Sequence, residues 1–513
     1  MQQKSKYGIF SIIIILITIF PTHAADSSVN PKILHVLNRL SFGISPGDIQ
    51  KVQAMGVDNY IKQQLTPNTI SESSKLTQKL SQLESLKFST EKLVQEYGLT
   101  RGRNGKKTEE DIKNQQKTAN KVLEEATEAR LLRAIYSHRQ LEEVMVDFWY
   151  NHFNVFSNKG RTKLLVGAYE RDAIRAHALG NFRDLLEATA RHPGMLFYLD
   201  NWQNTAPSSP GARGRFKGLN ENYARELMEL HTLGVDGGYT QQDIISLAKI
   251  FTGWGIARGS KQGDNSGFYF DSDRHDFSDK VFLGKKIKSS GETEAEEALD
   301  ILSKSPATAK HISYKLAQYF VNDNPSPELV KRLQKSFLQS NGNIRNVLET
   351  LFQSPEFFDS KNYNQKFKTP YQYIISSLRS TGIEITETKP LAGILQQLGM
   401  PIYGCQTPDG YKNIQAAWLN PDGMTRRLSF ATALANGRII KNSNNLINPS
   451  KDTQTNNQNS SLIKPETNRL IDYQELITNL GNPFSPKTQQ AINSSPPKMR
   501  PALILGSPEF MYK

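Results

Sequence analysis

The chain has 513 residues, 63 Lys and Arg against 50 Asp and Glu, a net charge of +13 and a single cysteine. One thiol excludes an intrachain disulfide and a thiolate-cluster zinc site, so stability has to come from burial and hydrogen bonding. The length exceeds the roughly 250–300 residues at which one core stops growing, which predicts two subdomains, and the basic surplus arrives without any nucleic-acid-binding motif, which leaves anionic polysaccharide, lipid headgroups or plain solvation to account for it.

The first element is a leader. Lys4 and Lys6 precede a nearly unbroken apolar run of 12 residues, Ile9 to Phe20; Pro21 breaks it, and Thr22-His23-Ala24 places small residues where a signal peptidase reads. That order predicts a signal peptide at 1–24, cleavage after Ala24, and a periplasmic or secreted product. Such a run is too short to cross about 30 Å of hydrocarbon, no cysteine follows it for lipid attachment, and no later segment has the length and apolarity of a transmembrane span.

Helix starts recur downstream. Ser45-Pro46-Gly47-Asp48, Ser305-Pro306, Ser326-Pro327-Glu328, Ser354-Pro355-Glu356 and Ser507-Pro508-Glu509 share one logic. The serine caps free backbone N–H groups, the proline sits where its missing N–H is harmless, and the acid meets the positive end of the helix dipole. Ser-Pro-Glu-Phe occurs at 354–357 and again at 507–510, too short a match to establish a repeat. A long helix rich in Glu, Lys, Ala and Leu is predicted from about Glu109 to Ser137, within a stretch (101–140) carrying 10 Lys/Arg against 6 Asp/Glu. Thr240 caps a helix that Gly253-Trp254-Gly255 closes, with the tryptophan packed. Strand signals are few: Gly267-Phe268-Tyr269-Phe270 and Lys280-Val281-Phe282-Leu283 are expected to pair as a hairpin around Asp271–Asp279. Residues 440–466, crowded with Asn, Ser, Gln and Thr, read as a polar insertion.

Three stretches hold residues able to do chemistry. In Asp147-Phe148-Trp149-Tyr150-Asn151-His152-Phe153, a helical wheel puts Val144, Met145, Phe148, Trp149 and Phe153 on one apolar half with His152 in its middle. A histidine there must be hydrogen-bonded, paired with an acid, or bound to a metal. In Asn220-Glu221-Asn222-Tyr223-Ala224-Arg225-Glu226-Leu227-Met228-Glu229-Leu230-His231, three carboxylates surround Arg225. One carboxylate held ionised by Arg225 and another raised by burial would make a general acid–base set, whereas an exposed face would make ordinary i,i+4 pairs. The third stretch, Asp271 to Asp279, resembles a calcium loop but has Asp276 at the sixth position and Phe282 at the twelfth, which rules out an EF-hand. It leaves a solvated hairpin tip, or a metal site borrowing His275 or Asp276. No nucleophile elbow, zinc-binding His-Glu-x-x-His helix, phosphate loop or dinucleotide fingerprint is present.

These stretches, together with His35-Val36-Leu37-Asn38-Arg39-Leu40-Ser41-Phe42-Gly43, His177-Ala178-Leu179-Gly180-Asn181-Phe182, His192-Pro193-Gly194-Met195, Tyr198-Leu199-Asp200, Leu233-Gly234, Thr252-Gly253-Trp254, Pro408-Asp409-Gly410-Tyr411, Trp418-Leu419-Asn420-Pro421 and Leu505-Gly506-Ser507-Pro508-Glu509-Phe510, resemble the bacterial family called domain of unknown function 1800. The likeness covers about residues 33–513. It implies an exported protein, encoded beside a second exported family of unknown function (number 1501) that suggests a partner; it implies no established reaction, fold or cofactor. Tyr150 stands where many members carry another His, which weakens a two-histidine metal site. The resemblance adds weight to Asn220, Glu221, Arg225, Glu226, His152, His275 and Asp276 without giving any of them a role.

The sequence thus predicts a mainly α, multi-helix protein with a minor β-hairpin. Residues 33–260 carry the His152 and Asn220–Leu230 motifs, and 261–513 form a C-terminal helical part. The leading function is an envelope or secreted enzyme acting on a polymer or glycan-like substrate, with Glu221 or Glu226 as acid or base tuned by Arg225 and His152. The alternative is a non-catalytic structural or partner-binding envelope protein in which the same residues form a buried ion-pair network. A cavity where these groups converge distinguishes the two.

Overall fold

The computed structural model describes residues 29–98, 108–257, 263–264, 266–437 and 471–513. The expected leader at 1–24 and the polar insertion at 440–466 fall outside the described residues. Helix accounts for 62% of the described residues and their strands form two small two-stranded sheets, so the protein is mainly α.

Local sequence explains the helix boundaries. Helix α1 (Pro31–Leu40) starts on an Asn30 cap. Helix α2 (Glu109–Tyr136) follows the predicted span; Thr108 and Asp111 close a capping box, and three acids fill its first turn. Helix α3 (Gln140–His152) is buried all round rather than on one half, with Glu143, Asp147 and Tyr150 enclosed beside Leu141, Val144, Met145 and Trp149. Helix α4 (Asn222–Glu226) runs straight into a wider π-type turn, Leu227–His231. Helix α5 (Gln241–Ile250) has the Thr240 cap, reinforced by Asp243.

The expected hairpin between 267–270 and 280–283 does not form. Strand β1 (Trp254–Ile256) pairs antiparallel with β2 (Phe268–Phe270), and β3 (Lys280–Phe282) with β4 (Lys285–Ile287). Leu283 and Gly284 both take positive φ, 48° and 75°, the geometry of a two-residue hairpin turn, so β3 meets its partner at once. Nor is 271–279 a solvated tip, because Arg274 and His275 are buried.

The Ser-Pro starts hold at Ser305, which caps α6 (Pro306–Phe320), and at Ser326 and Ser507. At Ser45 the cap slips to Gly47, while Ser45 donates its N–H to Asp48. At Ser354 the hydroxyl accepts from the Phe357 N–H, yet the chain closes as a turn and no helix follows.

One cluster of buried apolar side chains runs from Ile33 to Met511 and takes members from both 33–260 and 261–513. Arg379, on helix α7 (Pro370–Thr381), donates to the Gly43 and Ile135 carbonyls at 2.7 and 2.9 Å and so ties α7 to the ends of α1 and α2. Cys405 is buried and free. A reducing agent is therefore expected to leave Tm unchanged, since there is no internal cross-link to break. A large drop in Tm on adding dithiothreitol would instead show a disulfide between chains.

Candidate active cleft

The C-terminal end of α3 places the first residues. The Asn151 side chain makes a two-point clamp on the Tyr411 backbone, donating to its carbonyl at 2.9 Å and accepting from its N–H at 2.7 Å. Between them Gly410 lies so close that a Cβ there would meet the Asn151 carbonyl oxygen at 2.1 Å, and its φ is +70°. Only glycine fits such a contact. The Pro408–Tyr411 motif thereby brings Asp409 against the helix that carries His152.

His152 Nε2 lies 3.0 Å from the His231 carbonyl, and His311 Nε2 of α6 lies 3.2 Å from the Leu230 carbonyl. A helix end leaves carbonyls without partners. Here two imidazole N–H groups from other helices satisfy them and fix the Leu227–His231 turn. Burial, reinforced by Lys315, holds His152 well below its ordinary pKa, His231 at about 3 and His311 at about 4. All three rings are neutral at pH 7, and those of His152 and His311 donate without carrying charge. His152 acts as a clamp on the backbone of the carboxylate-bearing segment, and its Nδ1 is buried without a partner.

On that segment the acids divide. Glu221 is engaged: Arg225 reaches it at 3.5 Å and Gln241 donates to it at 2.7 Å. Arg225 also pairs with Glu229 at 3.3 Å. Glu226 is half-buried and has no ion-pair partner among the described residues. Burial raises its carboxyl above the usual range, and the charges of Glu229 and Asp409 raise it further, against the pull of Arg225. Asp409 goes the other way. Burial pushes it up, but hydrogen bonds from Lys412 and Thr407 more than reverse this and keep it ionised. A cleft of about 340 Å³ opens beside this segment; His152, Glu229, His311, Lys315, Asp409 and Lys412 line it, whereas Glu221, Arg225 and Glu226 are not among its lining residues. Two of its lining side chains, Val235 and Tyr314, are exposed apolar groups, 70% and 40% accessible.

The pattern of proteins of unknown function called DUF1800 matches residues 35–512. The chain belongs to the DUF1800 family. No curated protein and no solved structure matches it.

Of the expected site residues of this DUF1800 chain only His152 lines the cleft; Glu221, Arg225 and Glu226 stand on the segment that leads to its wall at Glu229 and Leu230. His275 and Asp276 sit in another packing unit. His275 Nδ1 faces the Thr252 carbonyl at 2.9 Å and Nε2 faces Glu294 at 3.1 Å, so both ring nitrogens meet acceptors. Lys280 holds the other Glu294 oxygen at 2.6 Å. Burial alone would push Glu294 up, yet these bonds keep it low. Asp276 accepts from the Ser278 N–H and bonds its hydroxyl. The set is a filled network that locks β3 against the Glu294 helix. Among the described residues no three His, Cys, Asp or Glu side chains group closely enough to hold a metal ion.

Sequence reasoning missed Lys315, Asp409 and the network next to the cleft. Asp409 had a signal in the Pro408–Tyr411 motif; Lys315 had none. In the network Arg130 grips Asp147 at 2.7 Å and Glu170 at 2.8 Å, and Glu170 meets Arg175, which forks onto Glu143 at 2.6 and 2.9 Å. The rings of Tyr150, Tyr371 and Tyr403 surround the Arg130 guanidinium at 5.0–5.6 Å. Tyr150 is therefore part of this cage.

Proposed function

We propose that this protein is an exported acid–base enzyme that cleaves a polymeric, glycan-like substrate in the cleft beside Glu226. Glu226 carries the proposal: it is a half-buried carboxyl at the edge of the cleft, raised by its surroundings, and it feels the charge of Asp409, which is itself driven low. Two carboxyls pushed apart in this way divide into acid and base. Glu226 gives its proton to the leaving oxygen, while Asp409 takes a proton from the water that attacks the carbon on the other side of the breaking bond. Arg225 keeps Glu221 and Glu229 engaged, and His152 and His311 hold the turn that follows Glu226. A second depression of about 1040 Å³ lies across the 400–406 segment from the cleft, between α2 and residues 386–396, and offers room for a chain of units. The test is release of reducing ends from a panel of polysaccharides, with loss of release in Glu226→Gln at unchanged Tm. Equal release by the two proteins would remove Glu226 from the chemistry.

Export belongs to the same proposal. The mature protein recovered from periplasm or medium is expected to begin at Ala25, read by intact mass, because Thr22 and Ala24 supply the small residues after the apolar run. A product that keeps Met1 to Phe20 would contradict export in soluble form. The family's genetic neighbour, the 1501 family, is the partner to seek by co-purification.

A further inference from the structure

The charges that line the cleft pair off with one exception. Asp147 is held by Arg130 at 2.7 Å, Glu229 by Arg225 at 3.3 Å and Asp409 by Lys412 at 2.6 Å. Lys315 lines the same cleft with no hydrogen bond or ion pair among the described residues. It sits on α6 one turn after His311, half-buried. An ammonium drawn partly out of water without a counter-charge is unfavourable. The neighbouring imidazoles are neutral and supply none.

We infer that Lys315 is the subsite for a singly charged anionic group on the substrate, a carboxylate such as a uronic-acid unit carries. This rests on the cleft being the substrate site. A lone ammonium is a point charge with three donors and matches one carboxylate. A phosphate dianion calls for arginine forks or a helix N-terminus, and the forks nearby are spent: Arg130 on Asp147 and Glu170, Arg225 on Glu229 and Gln241. Val235 and Tyr314 give the sugar face an apolar surface to lie against.

The pH dependence follows from the same groups. Facing Lys315 are His311 and Tyr314 on its own helix, His152 and Asp147 on α3, His231 and Glu229 on the turn after α4, and Asp409 and Lys412 on the 408–412 loop. Burial first, then Lys412, lower the Lys315 pKa to about 8 against the opposing pull of Asp409. The anion binds the protonated ammonium, so affinity is full below about 8 and declines as pH rises through it; the histidines stay neutral throughout.

The experiment is calorimetric titration of the mature protein with a short oligomer of uronic acid and with its methyl ester, and it is repeated with Lys315→Met and Lys315→Arg. At pH 7 the free acid is expected to bind about tenfold more tightly than the ester. Lys315→Met should erase that difference and leave ester binding unchanged, and Lys315→Arg should retain most of it. In wild type the preference should fade between pH 7 and 9. Equal binding of acid and ester, no binding of either, or an unchanged preference in Lys315→Met would overturn the subsite. The catalytic proposal fails separately, if Glu226→Gln cleaves its substrate as fast as wild type.

Discussion

Arg130→Met is expected to destabilise the fold by about 3–5 kcal/mol, the cost of removing one partner from a buried ion pair. The arginine joins Asp147 on α3 to Glu170, and all three side chains are about a tenth exposed or less. Methionine fills the space between the three tyrosine rings but leaves Asp147 enclosed without its cation. The loss should depend on pH with a definite sign. Asp147 already lies above its ordinary pKa because of burial, and Arg130 is the main force pulling it down. Without Arg130 it rises further, so the folded variant binds more protons than the unfolded chain and its stability falls as pH rises. Urea denaturation should therefore show a smaller deficit at pH 5 than at pH 8. Arg225→Met provides the contrast: its pairs are a quarter to two-fifths exposed, and exposed pairs are worth about 0–1 kcal/mol. Similar midpoints for the two variants would contradict the assignment of Arg130 to the structural centre.

Glu226→Gln is expected to lower kcat/KM about 10²–10⁴-fold, the usual contribution of a positioned general acid. The amide matches the carboxyl in shape and leaves no broken ion pair behind, because Glu226 has none among the described residues. Tm should stay within about a degree or two of wild type, in keeping with a change of less than ~0.5 kcal/mol at a site without partners. Asp409→Asn should lose activity to a similar degree through the base. Glu229→Gln releases Arg225 from one carboxylate and removes a charge that raises Glu226, so a smaller loss is expected. Equal melting losses in Glu226→Gln and Glu229→Gln, with no difference in rate, would mark the segment as structural.

Much of the helical frame was legible because its signals are local. Thr108, Thr240, Ser305 and Ser326 start helices by accepting from backbone N–H groups two or three residues ahead, which one strand of sequence displays. The strand partners were not, since a hairpin is decided by turn backbone, and Leu283 is an unusual residue for positive φ. The aromatic run announced a buried His152. Its partner could not be read, because the acceptor is a backbone carbonyl 79 residues later at the end of a π-type turn. His275 looked like a loop-tip residue among acids, yet it is enclosed because Glu294, 19 residues on, folds back over it. Lys315 stands in an unremarkable amphipathic helix; what sets it apart is the absence of a partner among the described residues, a property of the folded cleft. Arg130 is similar, since Tyr403 and Glu170 reach its cage from distant parts of the chain.

The pH–rate profile of wild type beside Glu226→Gln tests the catalytic role of the cleft most directly. A general acid works only while protonated, so wild-type kcat/KM should fall as pH rises through the Glu226 pKa, at a pH above the ordinary glutamate value of about 4.3. Measured on the methyl ester, so that the Lys315 dependence above pH 7 does not enter, the residual rate in Glu226→Gln should lose that descending limb, while the ascending limb from Asp409 remains at lower pH. A descending limb that persists unchanged in Glu226→Gln would place the acid elsewhere and contradict the assignment.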